Sequence, residues 1–269
     1  MISRSHPVVR RFRALRRDRA LRDRESVLVA EGIHVVSEAL DEGASLEVAV
    51  AAPRLRATPE GRALWARLQT SGTPLHEAED GTIEALQDAR SPQPVVAVVR
   101  RRNTLLAEVL RGRGGEPLLV VTFGVQDPGN LGSLIRTADA AGATGLLATG
   151  AGVDLFHPRT VRASMGSLFR LPVVETGLTE ALDGASAAGL TIVGSAPRGG
   201  QAYDAVDWRS ASALLLGGEG GGLPEEIGAR LGARVSIPMA PGVESLSVGA
   251  AAAVILFAAA RARRTERSP

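Results

Sequence analysis

An arginine lies six residues beyond an asparagine, at the point where an apolar strand gives way to a helix. The strand is predicted over residues 118–123, and Asn130 is a natural N-cap for the helix that follows. Arg136 comes one turn after Gly132, whose missing side chain would let a ligand approach the guanidinium. Helix N-termini and arginines both bind anions, so this segment favours a sugar-phosphate ligand. A capped helix with an Arg136–Asp139 surface pair is the alternative.

A glycine-rich loop follows a second predicted strand, residues 213–217. The loop holds four glycines and one carboxylate, Glu219, and a fifth glycine, Gly217, ends the strand. Glycines let the backbone come close to a ligand and adopt positive φ. A dinucleotide site would also be glycine-rich, but the G-x-G-x-x-G spacing is not cleanly met, and a chain without lysine has no Walker A loop.

A third segment, residues 235–239, precedes Ser245-Leu246-Ser247 and an alanine-rich helix. In this order, the three segments over residues 118–263 resemble the three motifs of the SpoU family of RNA ribose 2′-O-methyltransferases, which belong to the SPOUT class. Three ordered motifs are far more specific than any one of them. The resemblance implies S-adenosylmethionine as cofactor and a ribose 2′-OH of structured RNA, ribosomal or transfer, as methyl acceptor. It also implies a trefoil knot that forms the cofactor pocket.

The resemblance assigns roles to individual residues. The predicted cofactor-binding residues are Leu216, Gly217, Gly218, Ile237, Met239, Ser245 and Leu246. The predicted catalytic residues are Asn130, Arg136, Glu219 and Ser245. Ordinary core packing is the alternative for Ile237 and Leu246, and an exposed loop charge is the alternative for Glu219. Ser245 is also a candidate N-cap of the last helix, so that it would have two roles.

Arg136 is the first candidate for a role in the reaction. Arginine stays protonated near neutral pH, which disfavours it as the base that removes the hydroxyl proton. We expect it to hold a phosphate and to stabilise developing alkoxide charge. The motif departs from the family once, because Ser247 stands where the usual motif has asparagine. This departure is the one support for an alternative class, a non-catalytic RNA-binding or ribosome-assembly protein; a nucleotide-dependent enzyme of Rossmann type is a third class.

Basic residues crowd the N-terminus, where nine arginines occur within residues 1–24. Such a block is the electrostatic footprint expected for a polyanion, although a solvated helix face is the alternative. The candidates for RNA binding are Arg10, Arg11 and Arg16. Arg162, in a further segment that matches the family (residues 158–166), is expected to bind a second phosphate or to reach the active site.

Composition narrows the remaining classes. The 269 residues include no cysteine, which excludes disulfides, thiolate catalysis and cysteine-based zinc sites, and the four histidines lack metal-ligand spacing. We therefore expect no metal. Aromatic residues are 3% of the chain, so base stacking on aromatic platforms is not expected. No signal peptide or bilayer-spanning segment is visible, so we expect a cytoplasmic protein with no membrane partner.

Apolar strands alternate with helices, which predicts an α/β protein with a parallel sheet covered on both faces. The predicted division is a basic helical arm (1–24), a smaller α/β domain (25–102), a linker (103–117) and a methyltransferase domain (118–269). The resemblance implies that the smaller domain is like ribosomal protein L30e and binds the RNA substrate. It also implies that the last helix, rich in small residues, forms a homodimer interface.

Overall fold

The computed structural model describes residues 1–88, 91–112, 115–218 and 222–265. Its helices are α1 (Pro7–Arg17), α2 (Arg19–Glu25), α3 (Ile33–Asp41), α4 (Pro59–Thr70), α5 (Asp80–Glu84), α6 (Leu106–Arg111), α7 (Pro128–Ala140), α8 (Pro158–Ala163), α9 (Ser167–Arg170), α10 (Leu178–Ala187) and α11 (Val248–Thr265). Its strands are β1 (Val27–Glu31), β2 (Leu46–Ala51), β3 (Leu75–Glu77), β4 (Val95–Arg100), β5 (Leu118–Phe123), β6 (Gly145–Thr149), β7 (Val173–Glu175), β8 (Thr191–Ser195), β9 (Gln201–Ala202), β10 (Ser212–Gly217) and β11 (Ala233–Ser236). Short 3-10 helices cover Pro53–Ala57 and Glu225–Arg230.

Two compact units divide the chain. The first consists of Met1–Asn103 together with Phe156–Phe169, and the second consists of Thr104–Leu155 together with Arg170–Pro269. The segment Phe156–Phe169 falls inside the methyltransferase domain predicted from the sequence, yet it packs with the first unit. This placement brings α8 against β1.

The first unit is built on a four-stranded sheet in the order β1-β4-β2-β3, with β4 antiparallel to both of its neighbours. The N-terminal basic segment is part of this unit. Val9, Phe12 and Leu15 recur at helical spacing on α1 and are buried in the same core cluster as Val29 and Val98. The arginines between them occupy the remaining faces of the helix.

The second unit is built on a seven-stranded parallel sheet in the order β7-β6-β5-β10-β8-β11-β9. Its central strands β5 and β10 are almost continuously apolar and buried, as expected for a sheet covered on both faces. The predicted α/β class with a parallel sheet is therefore confirmed. Among the residues described, no helix is both long and apolar enough to span a bilayer.

Two further helices, α6 and α11, belong to the second unit. The predicted linker contains α6, and Val109 on this helix is buried in a core cluster with Leu119 and Leu147. The last helix, α11, packs against α7. Its Arg263 donates hydrogen bonds to the carbonyls of Trp208, Pro117 and Ser210 (2.7, 3.1 and 2.8 Å), which anchors the C-terminal part of the helix.

Candidate cofactor pocket and active site

The helix that carries the first motif is capped by Asp127. Pro128 is its first residue, and the Asp127 carboxylate accepts a hydrogen bond from the Asn130 backbone N–H at 2.9 Å. The prediction that Asn130 is the N-cap was therefore wrong, because the fixed φ of proline favours the first helical position and the aspartate before it takes the capping role. Asn130 lies in the first turn and is half-buried.

Arg136 is exposed on α7. Leu131, Leu134 and Ile135 form the buried face of the helix together with Gly132 and Ala138. The alternative Arg136–Asp139 pair is absent among the described side chains, since Asp139 pairs with Arg170 (Nε to Oδ2, 2.9 Å). No ion-pair partner of Arg136 occurs in the described part of the chain, so its guanidinium is available to an external anion.

The carboxyl ends of β8, β10 and β11 surround a cavity of about 1010 Å³. Ligands of open α/β sheets bind at this edge of the sheet. The lining includes all seven predicted cofactor-binding residues: Leu216, Gly217, Gly218, Ile237, Met239, Ser245 and Leu246. Residues from the second and third motifs therefore share one cavity, with further contributions from residues 194–197 at the end of β8.

Close backbone packing explains two of the glycines. A Cβ at Gly217 would lie 2.5 Å from the carbonyl carbon of Gly222, and a Cβ at Gly218 would lie 2.3 Å from the carbonyl oxygen of Gly124. Both distances are too short for any side chain. Gly222 has φ of 63° with nothing near its missing Cβ. Glu219, the predicted catalytic carboxylate of this loop, lies outside the described residues together with Gly220 and Gly221.

The N-terminus of α11 is capped by Ser247, not by Ser245 as the sequence suggested. The Ser247 hydroxyl accepts a hydrogen bond from the Ala250 N–H (3.3 Å), and its carbonyl accepts one from Ala251 (2.9 Å). The helix starts at Val248, which places Ser247 at the capping position. Ser245 stays exposed on the cavity wall, free for a ligand.

The structure brings the first two motifs to the same edge of the sheet. Phe123, the last residue of β5, pairs with Gly217, the last residue of β10, and its carbonyl accepts a hydrogen bond from Gly218 at 2.7 Å. The segment that leads into α7 and the glycine loop therefore leave the sheet side by side. Asn130 and Arg136 themselves are not among the residues that line the cavity.

The RNA-binding candidates belong to the first unit and differ in their surroundings. Arg10 is exposed on α1. The Arg11 guanidinium binds the carboxylates of both Glu25 and Glu47. The Nη1 atom of Arg162 lies 3.1 Å from Oε2 of Glu31, and Arg16 exerts an electrostatic effect on the same carboxylate.

Glu31, which belongs to the same group, was not among the predicted site residues. Its side chain is 2% exposed, and burial raises its pKa to about 7 although Arg162 and Arg16 act in the opposite direction. The sequence signal was a single carboxylate at the end of an apolar strand, immediately before Gly32. Within the described residues, no group of three or more His, Cys, Asp or Glu is arranged to hold a metal ion.

Comparisons with known proteins agree with this architecture. Residues 117–257 match the model of the SpoU rRNA Methylase family, and residues 6–97 match an MRM3-like substrate binding domain. The chain belongs to the SpoU family, as predicted, and a substrate-binding domain precedes its methylase domain.

Individual relatives match nearly the whole chain. The 23S rRNA (guanosine(2553)-2′-O)-methyltransferase RlmP of Bacillus subtilis is 28% identical, covering 88% of this chain and 89% of its own. The 23S rRNA (uridine(2479)-2′-O)-methyltransferase of Streptomyces viridochromogenes is 31% identical (96% and 90% covered). The crystal structure of an AdoMet-bound rRNA methyltransferase from Sinorhizobium meliloti superposes with a TM-score of 0.84 at 33% identity, covering 97% of both chains.

Proposed function

We propose that this protein transfers a methyl group from S-adenosylmethionine to a ribose 2′-OH of ribosomal RNA. The observation that carries the proposal is the cavity in which residues of two separate motifs, from Leu216 to Leu246, meet at the carboxyl edge of the sheet, beside the end of the strand that leads into the first motif. The relatives that cover nearly the whole chain support ribosomal RNA as the substrate class. Transfer RNA is the second substrate to assay, because a similar solved structure, which aligns with 56% of this chain, comes from a study of 2-OH methylation of tRNA.

The cavity fits S-adenosylmethionine. Its volume is at the upper end of the about 300–1,000 Å³ of typical ligand pockets. Leu216, Ile237 and Leu246 offer apolar surface for an adenine ring, while Gly217 and Gly218 let a ligand come close to the backbone of the same wall. Ser245 adds an exposed hydroxyl.

A bound S-adenosylmethionine supplies an electrophilic methyl group. The chain must then hold the RNA so that the 2′-oxygen approaches in line, and must stabilise the charge that develops on that oxygen. Arg136 is suited to this role because it is exposed, permanently charged and without an ion-pair partner among the described residues. Asn130, at the start of the same helix, would orient the substrate.

The non-catalytic alternative rested on Ser247. The capping hydrogen bond from Ala250 to the Ser247 hydroxyl shows that serine fulfils one structural task at this position without an amide. The departure from the family motif therefore gives little support to loss of activity, and we favour the enzyme.

Calorimetric titration with S-adenosylmethionine and S-adenosylhomocysteine tests the proposal. An Ile237→Asp variant, which places a carboxylate on the apolar wall, should lose binding. A bulky residue at Gly217 would be a poor control, because any Cβ there collides with Gly222 and distorts the loop. Mapping of 2′-O-methyl groups on 23S rRNA after incubation should then reveal a new site. Absence of both cofactor binding and methylation in the presence of RNA would refute the proposal.

We also propose that the protein is a homodimer. Phe257 on α11 is 45% exposed, and Val243 and Leu246 before the helix are 42% and 40% exposed. Such apolar exposure beside small alanines suits a second copy of the chain. Sedimentation equilibrium should give twice the chain mass, and Phe257→Glu should shift the protein toward the monomer.

Two further features of the family complete the proposal. The strand order, in which β10 lies between β5 and β8, is compatible with a trefoil knot in the second unit. A crystal structure with an unbroken chain trace would decide this point. We propose the cytoplasm as the site of action because the ribosomal RNA of bacteria, the source of the curated relatives, is made there; cell fractionation with an antibody tests it.

A further inference from the structure

A buried carboxylate in the first unit pairs with one arginine and is within electrostatic reach of a second. Glu31 ends β1, and its side chain is 2% exposed. Arg162, on α8, approaches it to 3.1 Å, while Arg16, near the end of α1, acts on it electrostatically. Both arginines were predicted from the sequence to contact RNA, and they are far apart in the chain. The fold brings both within electrostatic reach of one carboxylate.

Each arginine keeps donors for a second anion. The Arg162 side chain is 31% exposed, and its one side-chain hydrogen bond within the described residues is the one to Glu31. Arg16 is half-buried, and its guanidinium has no hydrogen-bond partner in the described part of the chain. A guanidinium has five N–H donors, so most remain available.

Arg11 shows the opposite balance. Two carboxylates, Glu25 and Glu47, bind its single guanidinium, and Glu47 also pairs with Arg100 at 2.8 Å. Charges around Arg11 are therefore compensated within the protein. Around Glu31, the two arginines act together with the like charge of Asp88. Glu31 is the one carboxylate that pairs with either guanidinium in the described part of the chain, so donors remain for an additional anion.

We propose that Arg16 and Arg162 together bind one backbone phosphate of the RNA, and that this phosphate replaces Glu31 as their counter-ion while Glu31 takes up a proton from solvent. The inference rests on the proposed function for the identity of the ligand. Phosphate contacts of this kind fix the register of an RNA without reading its sequence.

The direction of the linkage follows from the charges. Burial already raises the pKa of Glu31 to about 7, so the carboxyl group changes its ionisation near neutral pH. A phosphate beside the same arginines disfavours the carboxylate further, so the complex binds the proton more tightly than the free protein does. RNA affinity should therefore fall as pH rises through the neutral range.

Other charged groups near Glu31 do not reverse this direction. Asp88 acts on it as a like charge and raises its pKa. On α3, His34 and Glu38 face each other at 3.8 Å. On α2, Arg22 is directed to the carbonyls of Leu15 and Arg16. The strand β4 places the apolar Val96 opposite Glu31.

The affinity of the full-length protein for an in vitro transcript of 23S rRNA, measured between pH 6 and pH 8.5 at constant salt, tests the proposal. The wild type should weaken with rising pH by no more than about tenfold per pH unit, the limit for one linked proton. Glu31→Gln should remove this dependence and bind more tightly than the wild type at pH 8. Glu47→Gln, which removes another arginine-paired carboxylate of the same unit, should keep it.

Salt dependence tests whether the two arginines share one phosphate. The double variant of Arg16→Gln and Arg162→Gln should lower the salt slope of binding by about one, and each single variant by no more than that, since the two arginines share one phosphate contact. A decrease of about two in the double variant would mean two separate contacts and would overturn the proposal. Arg67→Gln, which removes an exposed arginine paired with Asp41, should leave the slope unchanged.

Further outcomes separate this inference from the proposed function. If Glu31→Gln folds, as judged by thermal unfolding, and keeps the pH dependence of the wild type, the inference is wrong while methylation can still be normal. If the wild type neither binds nor methylates RNA at any pH, both the inference and the proposed function are wrong.

Discussion

The two units prepare their candidate sites by different physical means. In the second unit, the cavity is formed by backbone: Gly217 and Gly218 pack against other main-chain atoms at distances that exclude a side chain. In the first unit, charged side chains prevail, with arginines paired to Glu25, Glu31 and Glu47. Backbone packing leaves a glycine signature that can be recognised in a sequence. Side-chain pairing between distant residues leaves none.

The largest effect is expected where backbone packing is broken. Gly217→Ala places a methyl group 2.5 Å from the carbonyl carbon of Gly222, so the loop must move. The methyl group meets backbone atoms, which cannot move aside as a flexible side chain would, so the wall of the cavity is displaced. We expect cofactor affinity to fall by about 100-fold or more. Calorimetric titration measures it.

A glycine with open space provides the control for this change. Gly177 precedes α10 with φ of −67°, and nothing lies near its missing Cβ. Gly177→Ala should leave cofactor affinity within about twofold of the wild type, because ordinary surface substitutions change stability by about 0.5 kcal/mol or less. Equal binding by both variants would contradict the view that backbone packing forms this site.

The next effect concerns the one arginine of the second unit to which we assign chemistry. Arg136→Lys keeps the charge but loses the planar fork of donors. We expect kcat to fall by about 100-fold, in the range found when one donor to a developing oxyanion is removed. Cofactor affinity should be unchanged, because Arg136 is not part of the cavity lining. Single-turnover methylation with saturating cofactor separates the two quantities, and a substantial retained rate would indicate a simple point-charge role.

In the first unit, the charge network predicts a dependence of stability on pH. The folded-state pKa of Glu31 is about 7, above the ordinary 4.5, so the folded protein holds this proton more tightly than the unfolded chain. Its contribution to stability is therefore fully present below pH 4.5 and is lost as pH rises toward 7. At pH 8, Glu31→Gln should be more stable than the wild type by up to about 3 kcal/mol, from about 1.4 kcal/mol per pKa unit.

Urea unfolding at pH 5 and at pH 8 measures this difference. The advantage of Glu31→Gln should shrink at the lower pH, where the wild-type carboxyl group is protonated. Arg162 is the partner that opposes the shift, so Arg162→Gln should destabilise the protein more at pH 8 than at pH 5. A variant that is destabilised equally at both values would mean that Glu31 is not charged in the folded protein.

The same contrast explains how far the sequence could lead. Continuous runs of apolar residues were sufficient to predict strands such as 118–123 with correct bounds, because a parallel strand that is buried on both faces needs apolar side chains at nearly every position. The second and third motifs predicted the seven residues that share the cavity. The N-cap residues were misassigned twice, at Asn130 and Ser245, because several residues with capping propensity lie close together and tertiary packing selects one.

Other features were beyond the reach of the sequence. The placement of residues 156–169 in the first unit depends on contacts between residues more than a hundred positions apart, such as Glu31 and Arg162. The raised pKa of Glu31 depends on burial of its side chain, which no local sequence pattern predicts. Such effects arise from tertiary structure. In the sequence alone, a buried carboxylate at the end of a strand looks the same as one exposed to solvent.

The smallest predicted effect belongs to Ser247, where backbone and side chain act together at one helix end. Its hydroxyl accepts the hydrogen bond from Ala250, so Ser247→Ala should cost about 1 kcal/mol of unfolding free energy, the usual value of an N-cap. Ser247→Asn restores the family residue, and asparagine caps helices as well as serine does, so stability should be unchanged within error. If Ser247→Asn nevertheless raises kcat severalfold at equal cofactor affinity, the amide has a task in the reaction beyond the cap. Equal rates for the wild type and Ser247→Asn would mean that the serine hydroxyl suffices at this position and that the site formed by backbone tolerates either residue. Chemical unfolding measures the stability of the two proteins, and single-turnover methylation measures their rates.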